Sequence, residues 1–431
     1  MILITRTLSS PLRGKLHPPG DKSISHRAVI LASLAEGESR ITGLLGAEDV
    51  KATANACRQV GAHIRTSDGV TMVQGTGQTG LQQPSRALDM GNSGTAMRLL
   101  AGVLSAQPFD SVLIGDESLS RRPMRRIIEP LTHMGAKIEA TPAGTAPLRI
   151  QGNPALQGID YHLPVASAQI KSCLLLAGLY AKGSTCVSES QQSRDHTEKM
   201  LPVFGVPLES PCCVQGGSKL TAANVRVPAD ISSAAFFLVA AAMIPGSELL
   251  LCDVGVNTTR DGILRVLHAM GADVRIRNRR LFGQEPVADI RVRYSKGLKG
   301  VDIPACWVPS LIDELPAIMV LAVTASGTTR IRGAAELRVK ESDRLAVMST
   351  GLACLGVRVN EIEDGIDIMG GATQGGEVDG AGDHRCAMSF AVLGQVAKSE
   401  VRVLGAYNIN TSYPDFPKHL QAVGGNLDLK H

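Results

Sequence analysis

The sequence predicts an α/β protein of six βαβαββ-type units, grouped three and three into two domains. Two patterns that repeat about every 70 residues indicate the units, and the chain length indicates the two domains. The chain has 431 residues, whereas a single hydrophobic core stops growing at roughly 250–300 residues.

The first repeating pattern is a glycine between an apolar helix-like stretch and a strand-like run. A glycine at this point suits a helix C′ position, where a positive φ turns the chain out of the helix. The six glycines are Gly61, Gly135, Gly205, Gly271, Gly356 and Gly424. We therefore expect six helices that end at these residues.

The second pattern is an Ala/Leu/Val-rich helix-like stretch that opens on small polar or charged residues. These stretches are apolar nearly all round, which predicts buried helices. A solenoid is the competing architecture, but solenoid repeats have only 20–45 residues. The six segments are residues 22–44, 92–115, 166–189, 230–253, 311–333 and 382–405.

The domain break is predicted between the third and fourth units, near Val227–Pro228. Residues 20–227 would form the first domain with repeats 1–3. Residues 1–19 and 228–431 would form the second domain with repeats 4–6. The active site would lie in the cleft between the domains.

Composition excludes several classes of protein. The net charge is only +4, with 1 Trp, 5 Tyr and 7 Phe, so a nucleic-acid partner is not expected. The longest apolar run, residues 231–246, is too short for a membrane helix, which needs about 20 residues. No signal peptide is evident. Nine cysteines without a C-x-x-C spacing predict reduced thiols in a cytoplasmic protein, with no disulfide frame and no zinc ribbon.

The openings of the buried helices are the candidate functional positions. A helix N-terminus carries unpaired N–H groups and about half a positive charge, which makes it an anion site. Several such ends gathered in one cleft would form an anion-binding pocket. The polar openings are residues 20–27, 91–95, 167–169, 313–314 and 383–385.

The amphipathic helices also open on basic residues, although cations destabilise a helix start. Repeated exceptions of this kind indicate function. Pro123 suits a first helical position, and Asp195 with Glu198 has the spacing of a capping box. The basic residues are Arg121, Arg122, Arg194, Lys340 and Arg344, with the last two one turn apart.

Each of these residues also has an ordinary structural interpretation. A lone Arg or Lys is usually a solvated surface charge, and Ser, Asn and Asp are common N-caps. Asp313 and Glu341 could be structural ion-pair partners, and Gly94 could serve only a turn. No pair of histidines has metal-ligand spacing and no GxxxxGK[ST] occurs, so neither a metal site nor a P-loop is expected.

Four long segments resemble the EPSP synthase family, the 3-phosphoshikimate 1-carboxyvinyltransferases. They are PGDKSISHR (19–27), GNSGTAMR (91–98), RVKESDR (338–344) and DHR (383–385). The resemblance implies a two-domain inside-out α/β barrel with three repeats per domain and the helices buried at its centre. It implies transfer of the enolpyruvyl group of phosphoenolpyruvate to the 5-hydroxyl of shikimate 3-phosphate, by addition and elimination, in chorismate and aromatic amino acid biosynthesis. It implies no cofactor or metal, two small anionic substrates and a monomer.

The resemblance also assigns roles by motif position. Shikimate 3-phosphate contacts would be Lys22, Ser23, Arg27, Ser167, Ala168, Gln169, Arg194, Asp313 and Lys340. Phosphoenolpyruvate contacts would be Lys22, Gly94, Arg122, Gln169, Arg344 and Arg385. The catalytic residues would be Lys22, Asp313 as the base for the 5-hydroxyl, and Glu341 as the group that acts on the methylene carbon.

Two residues depart from the family pattern. Thr411 stands where many members have a lysine of the phosphoenolpyruvate site, and Ala168 stands where others have a second serine. These changes bear on the response to inhibitors such as glyphosate, for which Gly94 leaves the donor pocket uncrowded.

Two other functions remain as alternatives. A UDP-N-acetylglucosamine enolpyruvyl transferase would be expected to have Lys-Asn near the N-terminus and a reactive cysteine on a mobile loop. Here the first motif reads Lys22-Ser23. A non-catalytic repeat protein that binds anions or nucleic acid would show steeply salt-dependent polynucleotide binding.

Overall fold

The computed structural model describes residues 1–208 and 212–430. The chain forms two compact units, each with its own hydrophobic core. The first unit is Gly20–Val227 with Leu281–Glu285. The second unit is Met1–Pro19, Pro228–Arg280 and Pro286–His431.

The first unit contains three repeats. The first repeat has α1 (Lys22–Leu34), β3 (Glu38–Thr42), α2 (Glu48–Gln59), β4 (His63–Ser67), β5 (Val70–Gln74) and the later strand β13 (Asn224–Arg226). The second has β6 (Leu88–Asp89), α3 (Gly94–Ser105), β7 (Ser111–Ile114), α4 (Arg125–His133), β8 (Lys137–Glu139) and β9 (Leu148–Gln151). The third has β10 (Asp160–Leu163), α5 (Ala168–Gly178), β11 (Ser184–Glu189), α6 (His196–Met200) and β12 (Cys213–Gln215).

The second unit also contains three repeats. The fourth repeat has β2 (Arg13–Leu16), α7 (Ile231–Met243), β14 (Glu248–Gly255), α8 (Gly262–Ala269), β15 (Asp273–Phe282) and β16 (Glu285–Arg293). The fifth has β17 (Asp302–Ile303), α9 (Leu315–Val323), β18 (Thr328–Ile331), α10 (Arg344–Cys354), β19 (Arg358–Ile362) and β20 (Gly365–Met369). The sixth has β21 (Gly376–Asp379), α11 (His384–Leu393), β22 (Val401–Leu404), α12 (Phe416–Ala422), β23 (Leu427–Lys430) and the N-terminal strand β1 (Ile2–Thr5).

Every repeat contributes a small mixed sheet with one topology. A parallel pair of strands is extended by an antiparallel strand, as in the order β6-β7-β9-β8. The two N-terminal strands complete sheets of distant repeats, because β2 pairs in parallel with β14 and β1 pairs with β22 and β23. The start of the chain is therefore built into the second unit.

The first helix of each repeat is buried, as the sequence predicts. All residues of α7, α9 and α11 are buried, and α1, α3 and α5 expose only positions near their N-termini. Small residues allow this close packing: a Cβ on Gly102 of α3 would lie 2.2 Å from the Cys173 carbonyl oxygen of α5. With helices inside and half-exposed sheets outside, each unit is an inside-out α/β arrangement.

The six glycines at the helix-to-strand turns all have a positive φ, between 78° and 110°. This confirms the prediction from their spacing, since only glycine adopts this conformation without a Cβ penalty. The list is Gly61 (110°), Gly135 (97°), Gly205 (85°), Gly271 (85°), Gly356 (78°) and Gly424 (101°).

The prediction that all nine cysteines are reduced is wrong for one pair. Cys186 and Cys213 form a disulfide, with a Cα–Cα distance of 4.1 Å. They lie directly opposite each other on the antiparallel strands β11 and β12, which brings their side chains together. A sequence separation of 27 residues gives no sign of this register. The other seven cysteines are free thiols.

No group of three or more metal-ligating side chains occurs among residues 1–208 and 212–430. Within the same residues, every helix is too short or too polar to cross a membrane.

Candidate active site

The N-terminus of α1 places a lysine, a serine and an arginine within its first two turns. Asp21 caps the helix by accepting a hydrogen bond from the Ile24 amide at 2.9 Å. The Lys22 ammonium forms an ion pair with Asp49 at 3.0 Å, and its side chain is 16% exposed. The lysine is thus oriented at the helix opening but not fully withdrawn from solvent.

Arg27 is buried behind this opening and bonds only to neutral acceptors. Its Nε donates to Thr197 Oγ1 at 2.7 Å, and its Nη2 donates to Ser172 Oγ at 2.6 Å. Its Nη1 donates to the carbonyl of Ser23 at 2.9 Å. Burial lowers the pKa of Arg27 to about 10, with the charge of nearby Arg194 acting in the same direction against the acidic neighbours. The guanidinium remains charged at neutral pH, and its charge is not cancelled by a direct carboxylate contact.

Arg194 approaches the same opening from the loop before α6. Its Nη1 lies 3.4 Å from Ser23 Oγ. Ser23 therefore has Arg27 on its carbonyl and Arg194 on its hydroxyl. Two cations at one helix N-terminus can attract an anion such as a phosphate.

The N-terminus of α3 is built around Gly94 and Arg122. Arg122 is buried, and its guanidinium donates to the Asn92 carbonyl at 3.1 Å and to Asn92 Oδ1 at 2.6 Å. Asn92 is in turn held by Asp116, to which its amide donates at 2.7 Å. A Cβ on Gly94 would lie 3.4 Å from Arg122 Nη1. A side chain at position 94 would therefore crowd the Arg122 guanidinium.

The N-terminus of α5 is tied to α3 through Gln169. Its Oε1 accepts a hydrogen bond from Arg98 Nη1 at 2.7 Å, and its Nε2 donates to Thr95 Oγ1 at 2.9 Å. Ser167 is the N-cap, with a long 3.5 Å bond from the Ile170 amide, and Ala168 is the first helical residue. Arg98 was not among the predicted site residues, but it holds Gln169, which was.

His26 connects the openings of α1 and α3. Its Nδ1 lies 2.7 Å from Thr53 Oγ1, and its Nε2 lies 3.5 Å from Ser93 Oγ. Burial lowers the pKa of His26 well below its ordinary value, and the cations Lys22 and Arg27 lower it further. The imidazole is therefore neutral at physiological pH, and it links the two helix openings through hydrogen bonds.

The second unit supplies a set of carboxylates around one arginine. Arg344, at the start of α10, is 1% exposed. Its Nη1 lies 3.1 Å from Asp313 Oδ1, its Nη2 contacts Glu341 Oε2, and its Nε lies 2.8 Å from Asp383 Oδ2. Burial acts to lower the pKa of Arg344, but the three carboxylates outweigh it and raise that pKa well above its ordinary value. The arginine is permanently charged and holds Asp313 and Glu341 on the two arms of one guanidinium.

Arg385 approaches Asp313 from the first turn of α11. Its Nη1 donates to the Asp313 carbonyl at 3.2 Å, and its Nε is 3.8 Å from Asp313 Oδ1. Asp383 caps α11 by accepting from the Arg385 amide at 2.8 Å while it also pairs with Arg344. One buried aspartate therefore organises both helix starts.

Thr411 and Lys340 lie at the edges of this cluster. Thr411 Oγ1 donates to the Asn408 carbonyl at 2.7 Å and lies 3.5 Å from His384 Nδ1. Thr411 is buried, so no cation occupies this position. Lys340 follows the 3₁₀ turn Ala335–Val339 and is partly exposed.

The structure corrects how the basic residues relate to the amphipathic helices. Pro123 does not begin α4, which starts at Arg125 after the N-cap Met124. Asp195 precedes α6 but makes no side-chain capping bond, so the predicted capping box is wrong. Lys340 and Arg344 do not share a helical turn, because α10 begins only at Arg344. A cation at a helix start is unfavourable because of the helix dipole. Most of these basic residues lie in loops before the helix, and the charge of Arg344 is balanced by three carboxylates.

The described residues bring the predicted side chains together in two sets. The set of the first unit comprises Lys22, Ser23, Arg27, Gly94, Arg122, Ser167, Ala168, Gln169 and Arg194. The set of the second unit comprises Asp313, Lys340, Glu341, Arg344 and Arg385. Sequence reasoning missed residues that orient them: Arg98, Lys171 and Ser172, whose polar character inside apolar helices was the available signal, and Thr197 in the short polar helix α6.

Comparison with known proteins identifies the family. The family model described as EPSP synthase (3-phosphoshikimate 1-carboxyvinyltransferase) matches residues 7–420. The chain belongs to the EPSP synthase family. A 3-phosphoshikimate 1-carboxyvinyltransferase of Coxiella burnetii strain CbuG_Q212 is 52% identical over 424 residues, covering 97% of this chain and 96% of the relative. One from Methylococcus capsulatus is 50% identical over 432 residues, covering 99% of each.

The fold agrees with solved structures of the EPSP synthase family. A structure of EPSP synthase from Acinetobacter baumannii superimposes with a TM-score of 0.89 at 46% identity, and the match covers 100% of both chains. The inside-out architecture read from the repeats is therefore that of an established enzyme fold.

Proposed function

We propose that this chain is a transferase that moves the enolpyruvyl group of phosphoenolpyruvate to the 5-hydroxyl of shikimate 3-phosphate and releases phosphate. The observation that carries the proposal is the presence of two complementary sets of side chains in a chain of this family. One set offers cations bonded largely to neutral acceptors, and the other offers two carboxylates on one guanidinium. Binding two anions and moving protons are the two tasks of this reaction.

The cations of the first unit suit the two substrates. Each substrate carries a carboxylate and a phosphate, and arginine can bind either group with two parallel hydrogen bonds. We assign the shikimate phosphate to Ser23, Arg27 and Arg194, which converge on the N-terminus of α1. We assign phosphoenolpyruvate to the opening beside Gly94 and Arg122, with Lys22 contacting both substrates.

The carboxylates of the second unit suit the proton transfers. Glu341 delivers a proton to the methylene carbon of phosphoenolpyruvate, which leaves cationic character on the adjacent carbon. The 5-hydroxyl oxygen attacks that carbon while Asp313 accepts the hydroxyl proton, which gives a tetrahedral adduct. In the elimination, the bond between the former cationic carbon and the phosphate oxygen breaks, the methyl carbon returns a proton to Glu341, and Asp313 passes the hydroxyl proton to the leaving phosphate. The shared guanidinium of Arg344 fixes the two groups relative to each other through these steps.

We propose that Lys340 and Arg385 contribute further positive charge around the substrates, as does Arg344 once its carboxylates are engaged with substrate. Ser167 and Gln169 would contact the shikimate ring from the N-terminus of α5. Ala168 removes one hydroxyl from that contact, and Thr411 removes one cation from the donor site. Both changes lie beside the substrates and not among the proton-transfer groups.

A phosphate-release assay tests the proposal and separates it from the nearest alternative. Purified protein is incubated with phosphoenolpyruvate and either shikimate 3-phosphate or UDP-N-acetylglucosamine. We expect release only with shikimate 3-phosphate, and none when Lys22→Met replaces the wild type at equal concentration. Turnover with the nucleotide sugar alone would contradict the proposal.

A further inference from the structure

Lys171 is a buried cation that none of the roles above uses. It lies in the second turn of α5 and its side chain is 3% exposed. Its Nζ lies 2.7 Å from Glu189 Oε1 and 2.7 Å from Glu198 Oε1. A buried lysine with two charged partners is costly to maintain unless its contacts are needed.

The two glutamates lie at opposite ends of one loop. Glu189 is the last residue of β11, and Glu198 is in the first turn of α6. Glu189 also accepts hydrogen bonds from the Ser193 amide at 2.9 Å and from Ser193 Oγ at 2.6 Å. One ammonium therefore closes residues 190–197 into a loop, and Arg194 is the residue directly after Ser193.

Helix α6 has little stability of its own. It has only five residues, and its N-cap Asp195 makes no side-chain capping bond. Its position depends on side chains from elsewhere: Ser172 Oγ lies 2.7 Å from Thr197 Oγ1, His196 Nδ1 lies 2.7 Å from Glu285 Oε1, and Lys171 holds Glu198. The contacts of Lys171 join α6 and the end of β11 at once.

The charges of this cluster are coupled. Burial acts to lower the pKa of Lys171, but Glu198 and Glu189 outweigh burial and raise it. The lysine is therefore charged across the physiological range. Without it, two partly buried carboxylates would face each other beside the loop.

We propose that Lys171 is a positioning residue that holds the loop of residues 190–197 closed, so that Arg194 faces Ser23 where the acceptor's phosphate binds. The identity of that ligand rests on the proposed function, whereas the loop closure does not. The geometry places Lys171 behind the loop, out of contact with Arg194 itself, so it acts through Glu189, Ser193 and Glu198.

The test compares Lys171→Met with Lys171→Arg, which keeps the charge. Leu176→Ala, on the same helix and 1% exposed, is the control for a general loss of packing. Amide hydrogen exchange of the free protein reports on the loop, and the KM values of both substrates report on the site. In Lys171→Met we expect exchange in residues 190–197 to rise by about tenfold or more, and the KM of shikimate 3-phosphate to rise about 10- to 100-fold, with that of phosphoenolpyruvate within about threefold.

The arginine variant should recover most of the acceptor KM. Recovery by the variant that keeps the charge is a readout that a general loss of packing would not give.

Unchanged exchange in Lys171→Met overturns the proposal. So does an equal rise of both KM values, or the same KM pattern in Leu176→Ala at a matched loss of Tm. If the wild type does not turn over the two substrates, the proposed function is wrong, and the exchange arm alone still decides whether Lys171 closes the loop.

Discussion

The cations of the two units differ in their partners. In the first unit, Arg27 and Arg122 bond to hydroxyls, carbonyls and an amide oxygen. In the second unit, Arg344 is surrounded by three carboxylates. Neutral acceptors orient a guanidinium without cancelling its charge, whereas carboxylates cancel the charge and are themselves oriented. The first arrangement suits binding of anions, and the second suits proton transfer.

The comparison is not absolute. Lys22 in the first unit pairs with Asp49, although its side chain retains 16% exposure. Arg385 in the second unit bonds to a carbonyl and lies 3.8 Å from the nearest carboxylate oxygen. Lys22 and Arg385 thus have the character of the other set, as does Lys171, which lies between two glutamates in the first unit. Variants of the typical members are the sharper tests.

The largest effect is expected for Asp313→Asn. The amide keeps the shape of the side chain but cannot accept the proton of the 5-hydroxyl, so kcat should fall by about 10²–10⁴-fold. Steady-state phosphate release measures the change. Asp302→Asn is the matched control, because Asp302 is in the same repeat, is 74% exposed and pairs only with Arg330 on the surface. A kcat within about threefold of wild type in Asp313→Asn would remove the proton-transfer role from the second unit.

Arg122→Ala should act mainly on donor binding. Loss of charge-assisted bonds to phosphoenolpyruvate should raise its KM by about 10- to 100-fold. The neighbouring Arg121 is 75% exposed and pairs with Glu117, so Arg121→Ala should change this KM by less than about threefold. If the two variants behaved alike, the buried Arg122 would have no special role in anion binding.

Gly94→Ala should have a smaller effect of the same kind. The new Cβ would lie 2.9 Å from Arg98 Nη1 and 3.4 Å from Arg122 Nη1, so both guanidinium groups must shift by a few tenths of an ångström. We expect the KM of phosphoenolpyruvate to rise about 3- to 10-fold with little change in Tm. Gly46→Ala, where a Cβ would meet nothing within 4 Å, is the control and should leave both quantities unchanged. A large fall in Tm for Gly94→Ala would instead indicate a structural role for this glycine.

The smallest effect is expected in the pH dependence of stability. The pKa of His26 is lowered in the folded state by burial and by Lys22 and Arg27, while the unfolded chain has the ordinary value of 6.5. Below pH 6.5 the unfolded state therefore binds a proton that the folded state does not, and the unfolding free energy falls as the pH falls. The loss is at most about 1.4 kcal/mol per pH unit.

Replacing His26 by Gln removes this contribution. Urea unfolding at about pH 7.5 and pH 5.5 should show a drop in unfolding free energy that is about 1 kcal/mol smaller in His26→Gln than in wild type. The exposed His63→Gln is the control and should retain the wild-type drop. An equal drop in all three proteins would mean that the folded state does not lower the pKa of His26.

The sequence predicted the repeats because their signals are local. A glycine such as Gly205 or Gly356 must adopt a positive φ wherever a helix turns directly into a strand, so its spacing reports the repeat. A helix that is apolar on all sides, such as α7, likewise indicates burial through a local pattern. The candidate site was also predictable, because the residues at the helix openings form contiguous motifs.

The remaining features depend on contacts between residues that are distant in sequence. The disulfide between Cys186 and Cys213 follows from strand register, which hydrophobic pattern alone does not determine here. Of the carboxylates on Arg344, Glu341 is a neighbour in sequence, but Asp313 and Asp383 are 31 and 39 residues away. In the sequence, Lys171 is one polar residue in an apolar helix. Its proposed role depends on the contacts with Glu189 and Glu198 that the fold creates.

The most direct test of the division between the two sets is equilibrium binding of shikimate 3-phosphate, measured by titration calorimetry on two variants. Arg194→Met should weaken binding by at least about tenfold, because it removes a cation that faces the phosphate. Asp313→Asn should bind within about fivefold of wild type even though its turnover is lost, because it removes only one hydroxyl contact. The account would be contradicted if Asp313→Asn lost binding while Arg194→Met retained it.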